Sequence, residues 1–252
     1  MASSSVQISL LALFLCLCSN AMIAMAAKDL DFHYLVLMWP GSYCKQASDG
    51  CCFPTTGKPE LDFFVGGLLP YSNDGTPLTR CKMSPFHVNQ LDDIKEELHS
   101  YWPSIKCPSN DGRSLWLNTW KTYGVCTSLS EHDYFKKALD LRTNIDLYKI
   151  FQKNGIMSTD YADYSFPDVL AAVEKGIGAH AAIHCAKNPW DESIIYKVFI
   201  CVNKDATKII ECPVLPENAC ADRVVFGAFT YDMLSNKTSL RANPIRMRVQ
   251  NL

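Results

Sequence analysis

The sequence predicts one α+β domain in which helices pack on a central antiparallel sheet, and three observations predict it. Segments with the apolar period of a helix are followed by short aromatic and β-branched runs typical of strands. The chain has 252 residues, and the part after an apolar leader, about 200 residues, is enough for one hydrophobic core. Ten of the 12 cysteines follow that leader, which is typical of a secreted chain with disulfides.

The N-terminus has the features of a secretory signal peptide. An apolar run extends from Ile8 to Cys18 and is followed by small residues and the pattern Ala24-Met-Ala26. This pattern predicts a signal peptide over residues 1–27, with cleavage near Ala26 or Ala27. The run is shorter than the roughly 20 residues that span a bilayer, so we expect no membrane association of the mature form.

The first half of the mature chain predicts one buried strand and one amphipathic helix. Residues Phe32 to Trp39 are almost all apolar and are followed by Pro40-Gly41, which ends a strand. Asn89 precedes a helical pattern that Pro103 ends. The residues on one face of that helix are Leu91, Ile94, Leu98 and Tyr101.

The second half predicts three helices and a β-hairpin. Ser130 and Asp133 have the spacing of a helix start, and the apolar stripe of that helix is Phe135, Leu139 and Leu141. A further helix is predicted over residues 144–152, and Pro167 opens another that runs to Gly176 and Gly178. The runs 194–202 and 207–212 are predicted as strands joined by a turn at 203–205.

Charge argues against a polyanionic partner. The net charge of the whole chain is −2, but residues 227–252 carry four bases and one acid, which leaves a net charge of −5 on the rest. Proteins that bind nucleic acid usually show a basic footprint, because phosphate neutralisation supplies most of the non-specific affinity. The acidic body therefore disfavours RNA as a partner, and the sequence requires no partner.

Two segments carry the strongest resemblance to a known family. Phe63-Phe-Val-Gly-Gly-Leu-Leu-Pro70 is similar to F-x-I-H-G-L-W-P, and Leu115-Trp-Leu-Asn-Thr-Trp-Lys-Thr-Tyr-Gly-Val-Cys126 is similar to F-W-x-H-E-W-x-K-H-G-T-C. These are the two active-site blocks of the plant T2 ribonucleases. With Trp39-Pro-Gly-Ser-Tyr-Cys44 and the later cysteines, the resemblance covers residues 29 to about 226 and implies a T2 ribonuclease-like fold.

The resemblance also shows replacements at the family's catalytic positions. Gly66 and Asn118 occupy the positions of the two proton-shuttling histidines, and Thr119, Thr122 and Tyr123 replace a glutamate, a lysine and a further histidine. That chemistry needs groups that titrate near neutral pH and a positive charge near the phosphate. We therefore expect no catalytic residue at these positions and predict that the chain is not an enzyme.

The resemblance implies five disulfides. The implied pairs are Cys44 with Cys51, Cys52 with Cys107, Cys81 with Cys126, Cys185 with Cys220, and Cys201 with Cys212. Cysteine spacing by itself leaves the connectivity open. A zinc site is disfavoured because no C-x-x-C pair occurs.

Histidines outside the two blocks suggest two alternative sites. His180 and His184 have the i, i+4 spacing that ligates a metal on a helix, but the surrounding residues favour a strand, so we expect neither a metal nor a cofactor. The other alternative is a residual ribonuclease activity in which His33 acts as the general base.

The C-terminal segment contains two short signals. The tetrapeptide formed by Asn243, Pro244, Ile245 and Arg246 resembles a plant vacuolar sorting signal, and Asn236-Lys-Thr238 is a glycosylation sequon. We predict a domain over residues 28–226 and a sorting propeptide over residues 227–252, with vacuolar or alternatively extracellular destination.

These features together resemble the catalytically inactive members of the family that serve as vegetative storage proteins. Storage, as a nutrient reservoir of the vacuole, is therefore the predicted function. The alternative is a non-cleaving protein whose old active-site cleft binds RNA, a nucleotide or a protein.

Overall fold

The computed structural model describes residues 29–46 and 50–235, and its largest element is a six-stranded sheet. The strands of the described residues are β1 (Phe32–Met38), β2 (Cys51–Cys52), β3 (Phe64–Tyr71), β4 (Asp163–Ser165), β5 (Ala181–Lys187), β6 (Ser193–Asn203), β7 (Arg223–Val225) and β8 (Leu234–Ser235). In the large sheet the order is β3-β1-β6-β7-β4, and β5 also pairs with β6.

The described residues form six α-helices, of which the first and the third were not predicted from the sequence. They are α1 (Pro40–Gln46), α2 (Lys95–Tyr101), α3 (Arg113–Thr122), α4 (Glu131–Ile145), α5 (Leu147–Lys153) and α6 (Phe166–Ile177). The α+β fold predicted from the sequence is therefore confirmed.

The two faces of the sheet differ in what covers them. Leu35 and Leu37 of β1 face the large core, which the helices complete. The alternate residues Phe32, Tyr34 and Val36 lie on the other face in a small separate cluster. Since successive side chains of a strand point to opposite faces, β1 separates a thick helical layer from a thinly covered face.

The sheet is mixed, whereas the sequence predicted an antiparallel one. β6 and β7 are parallel where Ile194 lies opposite Val225, and the small pair β2–β8 is also parallel. Residues 204–222 carry the chain back along β6 before β7 begins, and the Cys201–Cys212 and Cys185–Cys220 disulfides hold this return. A connection that returns to the starting end of a strand makes the next strand parallel.

The predicted strand over residues 207–212 is wrong. Within the described chain this segment forms only an isolated bridge, Val202 to Ile209. The side chain of Asn203 accepts hydrogen bonds from the backbone N–H groups of Thr207 and Lys208. These local bonds compete with a strand ladder, so the segment crosses the sheet face as an extended loop.

The observed helix starts agree with the local sequence signals in one case and differ from them in two. Ser130 caps α4 as predicted, because its hydroxyl accepts a 3.1 Å hydrogen bond from the backbone N–H of Asp133. The helix predicted from Asn89 instead begins as a 3-10 helix over Val88–Ile94 and becomes α2 only at Lys95. The helix predicted over residues 144–152 begins later, because Asp146 has a φ of +47° and separates α4 from α5.

Five disulfides join the ten cysteines of the described residues. The pairs are Cys44–Cys51, Cys52–Cys107, Cys81–Cys126, Cys185–Cys220 and Cys201–Cys212. These are the pairs that the family resemblance implied. The longest loop that they close lies between Cys52 and Cys107, 55 residues apart, so the bond fixes distant parts of the chain.

Packed structure continues past Phe226, where the sequence placed the end of the domain. The indole of Trp39 donates a hydrogen bond to the carbonyl oxygen of Gly227, and Phe229 and Leu234 are buried in the core. A boundary at Phe226 therefore falls inside folded structure, and the predicted propeptide over residues 227–252 includes part of the core.

Three of the predicted signals lie outside the described residues. They are the signal peptide over residues 1–27, the sequon at Asn236, and the sorting signal of Asn243, Pro244, Ile245 and Arg246. These signals stay predictions of the sequence.

In the described parts of the chain, none of the helices has both the length and the apolar character needed to cross a membrane.

Candidate functional site

The first block lies on β3, and Gly66 occupies a β-bulge there. Val36 of β1 pairs with Gly67 and Leu37 pairs with Val65, so Gly66 between them has no partner. A bulge re-aims the chain and is frequent beside active sites. Gly66 is exposed, and a Cβ atom at this position would lie 3.2 Å from Cγ1 of Val36. The position is therefore open to solvent but close to the neighbouring strand.

The second block forms α3, which two indoles hold in place. Trp116 donates a 2.9 Å hydrogen bond to the carbonyl oxygen of Trp102, and Trp120 donates one of 3.2 Å to that of Pro85. Both tryptophans face the core. The residues of the opposite face are Asn118, which is exposed, and Thr119 and Thr122, which are half-buried.

The fold brings the two blocks to the same side of the molecule. The 3-10 turn Gly124–Cys126 after α3 packs against β3. Burial raises the pKa of the Tyr71 phenol at the end of β3, and the nearby phenol of Tyr123 raises it further. Tyr134 of α4 donates a 2.8 Å hydrogen bond to the carbonyl oxygen of Leu68. Tyr71 and Tyr123 therefore lie near each other where the two blocks meet, and we call the surface between the blocks the cleft.

Three cations lie around the C-terminal end of α3. The backbone N–H of Arg80 donates a 2.8 Å hydrogen bond to the carbonyl oxygen of Thr122, and the Cys81–Cys126 disulfide fixes the adjacent Lys82. Lys121 belongs to the helix itself. All three side chains are exposed, and none forms an ion pair with another described residue. The exposed surface around this end of α3 is therefore basic although the body of the chain is acidic.

His33, the alternative base, lies in the core and not in the cleft. Its side chain is fully buried, Nδ1 lies 3.3 Å from the carbonyl oxygen of Asn203, and Nε2 has no partner in the described structure. Burial lowers the pKa of the imidazole to about 4, against a smaller opposing effect of the Asn203 bond and of Asp205. A buried imidazole cannot exchange protons with a substrate, so this alternative has no structural support.

His180 and His184 lie at and within β5, as the strand interpretation predicted. His180 pairs with Glu211 at 2.8 Å, and the pKa of its imidazole is raised chiefly by that hydrogen bond. His184 lies 3.0 Å from the carbonyl oxygen of Glu217. Among the residues that the structure describes, no three His, Cys, Asp or Glu side chains form a group that could hold a metal.

Sequence reasoning missed Lys197. This lysine lies within the otherwise apolar run of β6, directly opposite Met38 of β1 and His184 of β5. Burial lowers the pKa of its ammonium group. A charged residue inside an apolar strand pattern was the signal that could have drawn attention to it.

Comparison with known proteins identifies the family. The Ribonuclease T2 family profile matches residues 30–212. The chain belongs to this family. The extracellular ribonuclease LE of Solanum lycopersicum is 38% identical over 233 residues, which cover 91% of this chain and all of that protein.

Two further T2 relatives bear on function. The crystal structure of RNase NT in complex with 5'-AMP has a TM-score of 0.76 and 35% identity, and the match covers 80% of this chain and 100% of that one. A ribonuclease-like storage protein of Panax ginseng is 31% identical over 182 residues, which cover 71% of this chain and 74% of that protein.

These T2 relatives contradict the prediction that the chain is not an enzyme. The relative at 38% identity is named a ribonuclease, and the structural neighbour at 35% identity binds a nucleotide. The prediction rested on the five replaced positions of the two blocks and on the lack of a substitute base among the histidines. It did not consider the cations Arg80, Lys82 and Lys121 that border the second block, so the replacements by themselves do not establish a loss of activity.

Proposed function

We propose that this T2-family protein serves as a storage protein. The observation that carries the proposal is its 31% identity, over 71% of the chain, with the ribonuclease-like storage protein of Panax ginseng. The positions occupied by Gly66, Asn118, Thr119, Thr122 and Tyr123 support it, because none of these residue types is charged near neutral pH. The proposal concerns accumulation and survival, and RNA cleavage is a separate measurement.

The disulfide framework supports long survival among proteases. In the chain-entropy account, the loop of 55 residues closed by Cys52–Cys107 is worth about 4 kcal/mol of stability relative to the reduced chain. The first half of the mature chain is further held by Cys44–Cys51 and Cys81–Cys126. Proteolysis acts on opened states, so these bonds slow degradation until the chain is mobilised.

We further propose the vacuole as its destination. The signal peptide directs the chain to the secretory pathway, and the segment from Asn243 through Pro244 and Ile245 to Arg246 is the sorting signal. A secreted fluorescent protein that carries residues 236–252 should accumulate in vacuoles. The matched control carries the same segment with Asn243→Gly and Ile245→Gly. Equal secretion of both fusions into the medium would contradict the vacuolar assignment.

Abundance through a cycle of dormancy and regrowth tests the storage role. We expect the protein to rise to a large fraction of soluble protein in a storage tissue and to be depleted at regrowth. Quantitative mass spectrometry of that tissue measures this, with the total protein of the same samples as the reference. A low, constant abundance would contradict storage.

A second candidate function is nucleotide binding in the cleft between the two blocks. The observation that favours it is the likeness to RNase NT, whose structure holds 5'-AMP, at a TM-score of 0.76. The half-buried rings of Tyr71 and Tyr123 line this cleft and offer stacking surfaces. Calorimetric titration with adenosine should show saturable binding that Tyr123→Ala weakens. Absence of saturation would contradict this function.

A further inference from the structure

One row of neighbouring strand positions crosses the sheet from Gly66 through Met38 and Lys197 to His184. A Cβ atom on Gly66 would lie 3.5 Å from Cβ of Met38. Met38 lies directly opposite Lys197, and Lys197 lies directly opposite His184. Directly opposite residues of neighbouring strands have Cβ atoms about 5 Å apart and share a face. Lys197 and His184 therefore continue the row that starts at the first block.

A second bulge turns side chains towards this row. On β5 and β6, His184 pairs with Lys197 and the next residue, Cys185, pairs with Ile195, which leaves Tyr196 without a partner on β5. The Lys197 ammonium consequently lies over the Tyr196 ring, 4.8 Å from its centroid. Bulges at both Gly66 and Tyr196 thus flank the same stretch of the sheet.

Lys197 lacks an anionic partner. Within the described residues its ammonium forms neither an ion pair nor a hydrogen bond, and its one assigned polar contact is the Tyr196 ring. The side chain is half-buried, and burial lowers its pKa. A partly desolvated ammonium without a counter-charge is unfavourable, so an external anion at this position would gain a strong interaction.

His184 is oriented to share such an anion. Its Nε2 lies 3.0 Å from the carbonyl oxygen of Glu217, and a carbonyl only accepts, so Nε2 carries the proton in the neutral ring. The ring is held against Phe199, with centroids 4.5 Å apart. Nδ1 is left for a ligand, to which it donates when the ring is protonated.

The face is open at this end. The Tyr34 hydroxyl donates to the carbonyl oxygen of Val214, and Ile210 and Cys212 cover the cluster around Tyr34. Gly66, by contrast, is exposed. A ligand can therefore reach Lys197 from the side of the first block.

We propose that Lys197 and His184 form a phosphate-binding subsite on the open face of the sheet, next to the cleft that begins at Gly66. The chemistry that it recognises is a phosphate group, whether of a nucleotide, of RNA or free. Lys197 places a positive charge in the row that starts at Gly66. Thr122, at the position of the family's lysine in the second block, carries no charge. The subsite rests on and deepens the proposed nucleotide-binding function, because it supplies the phosphate half of that ligand.

The test uses inorganic pyrophosphate, adenosine and 5'-AMP as separate probes of the full-length mature protein. Calorimetric titration should show that the natural chain binds pyrophosphate and binds 5'-AMP more tightly than adenosine. Lys197→Met should weaken binding of pyrophosphate and 5'-AMP about tenfold or more, because one charge-assisted hydrogen bond is lost, and should leave adenosine binding unchanged. Lys197→Arg should restore most of the loss.

Lys204→Met is the matched control, since Lys204 is an exposed lysine on the turn after β6 whose removal changes net charge equally. A second measurement needs no variant: pyrophosphate should raise the pKa of Lys197 measured by NMR, because a bound anion favours the ammonium form. This readout stands even where Lys197→Met disturbs folding.

The outcomes separate the two proposals. Failure of the natural chain to bind pyrophosphate, or equal binding by Lys197→Met, would overturn the subsite, and saturable adenosine binding would then leave the nucleotide cleft standing. Pyrophosphate binding that depends on Lys197 without any adenosine binding would support the subsite and remove the nucleotide cleft. Equal weakening by Lys204→Met would show a general charge effect and overturn the subsite.

Discussion

The indole nitrogen of Trp39 donates a 2.7 Å hydrogen bond to the carbonyl oxygen of Gly227, which ties the first strand to the segment after β7. The Trp39 ring also contacts Phe229, 6.3 Å between centroids. The bond is buried, so its loss leaves a polar group unpaired in the core. The chain from 227 to 235 is therefore part of the folded body.

Truncation tests this relationship. A chain that ends at Phe226 loses Phe229 and Leu234, both buried, and we expect it to lose about 3 to 6 kcal/mol of unfolding free energy. The control chain ends at Ser235, and its unfolding free energy should lie within about 1 kcal/mol of that of the full mature chain. Urea denaturation measures both. Equal stability of the two truncated chains would contradict the packing role of residues 227–235.

Tyr134→Phe should destabilise the protein by about 1 to 3 kcal/mol, because it leaves the buried carbonyl oxygen of Leu68 without its donor. The ring itself is retained, so the core volume hardly changes. Tyr161→Phe is the control, since Tyr161 is fully exposed and should have no effect. Thermal unfolding of both variants checks the difference, and equal melting temperatures would show that the Tyr134 bond contributes nothing.

His33 should make stability depend on pH. The pKa of this imidazole is about 4 in the folded protein, below its ordinary value of 6.5, so the unfolded chain takes up a proton first as pH falls. The unfolding free energy therefore falls as pH is lowered from 6.5 towards 4, because protonation favours the unfolded chain. The loss due to His33 is about 3 kcal/mol in all.

Substitution of His33 tests that contribution. His33→Leu should reduce the slope of unfolding free energy against pH by about one proton between pH 4 and 6.5. His132→Leu is the control for a histidine that lies nearer the surface, where it pairs with Asp93. An unchanged slope in His33→Leu would mean that another group carries the pH dependence.

Restoring the family side chains should increase RNA cleavage. The variant Gly66→His, Asn118→His, Thr119→Glu, Thr122→Lys and Tyr123→His should cleave RNA at least about 100-fold faster than the natural chain, since a positioned acid or base contributes that factor. Space at Gly66 is limited, because the new Cβ would lie 3.2 Å from Val36, and the strand must yield by a few tenths of an ångström.

The control for restored cleavage carries the four α3-side changes but keeps Gly66. Both variants and the natural chain are assayed from about pH 4 to 8 on the same RNA. A rate in the natural chain equal to that of the full variant would mean that groups outside the two blocks, such as Arg80 or Lys197, already support the reaction. No gain in either variant would show that the blocks are not positioned for it.

The sequence by itself determined the fold class, the cap at Ser130 and, through the family resemblance, the pairing of the cysteines. Caps and amphipathic faces depend on residues three or four apart, and cysteine order is carried by the family pattern. Such features are encoded in short stretches and survive in any context. The apolar run of β1 was likewise sufficient to predict a buried strand.

The tertiary structure alone decided which distant residues meet. It buried His33, joined residues 227–235 to Trp39 and set β7 parallel to β6. It also placed Lys197 in one row with Gly66 and His184, through bulges that no sequence pattern marks. Strand order and register arise from packing between segments far apart in the chain, and a one-residue bulge changes the face that a side chain occupies.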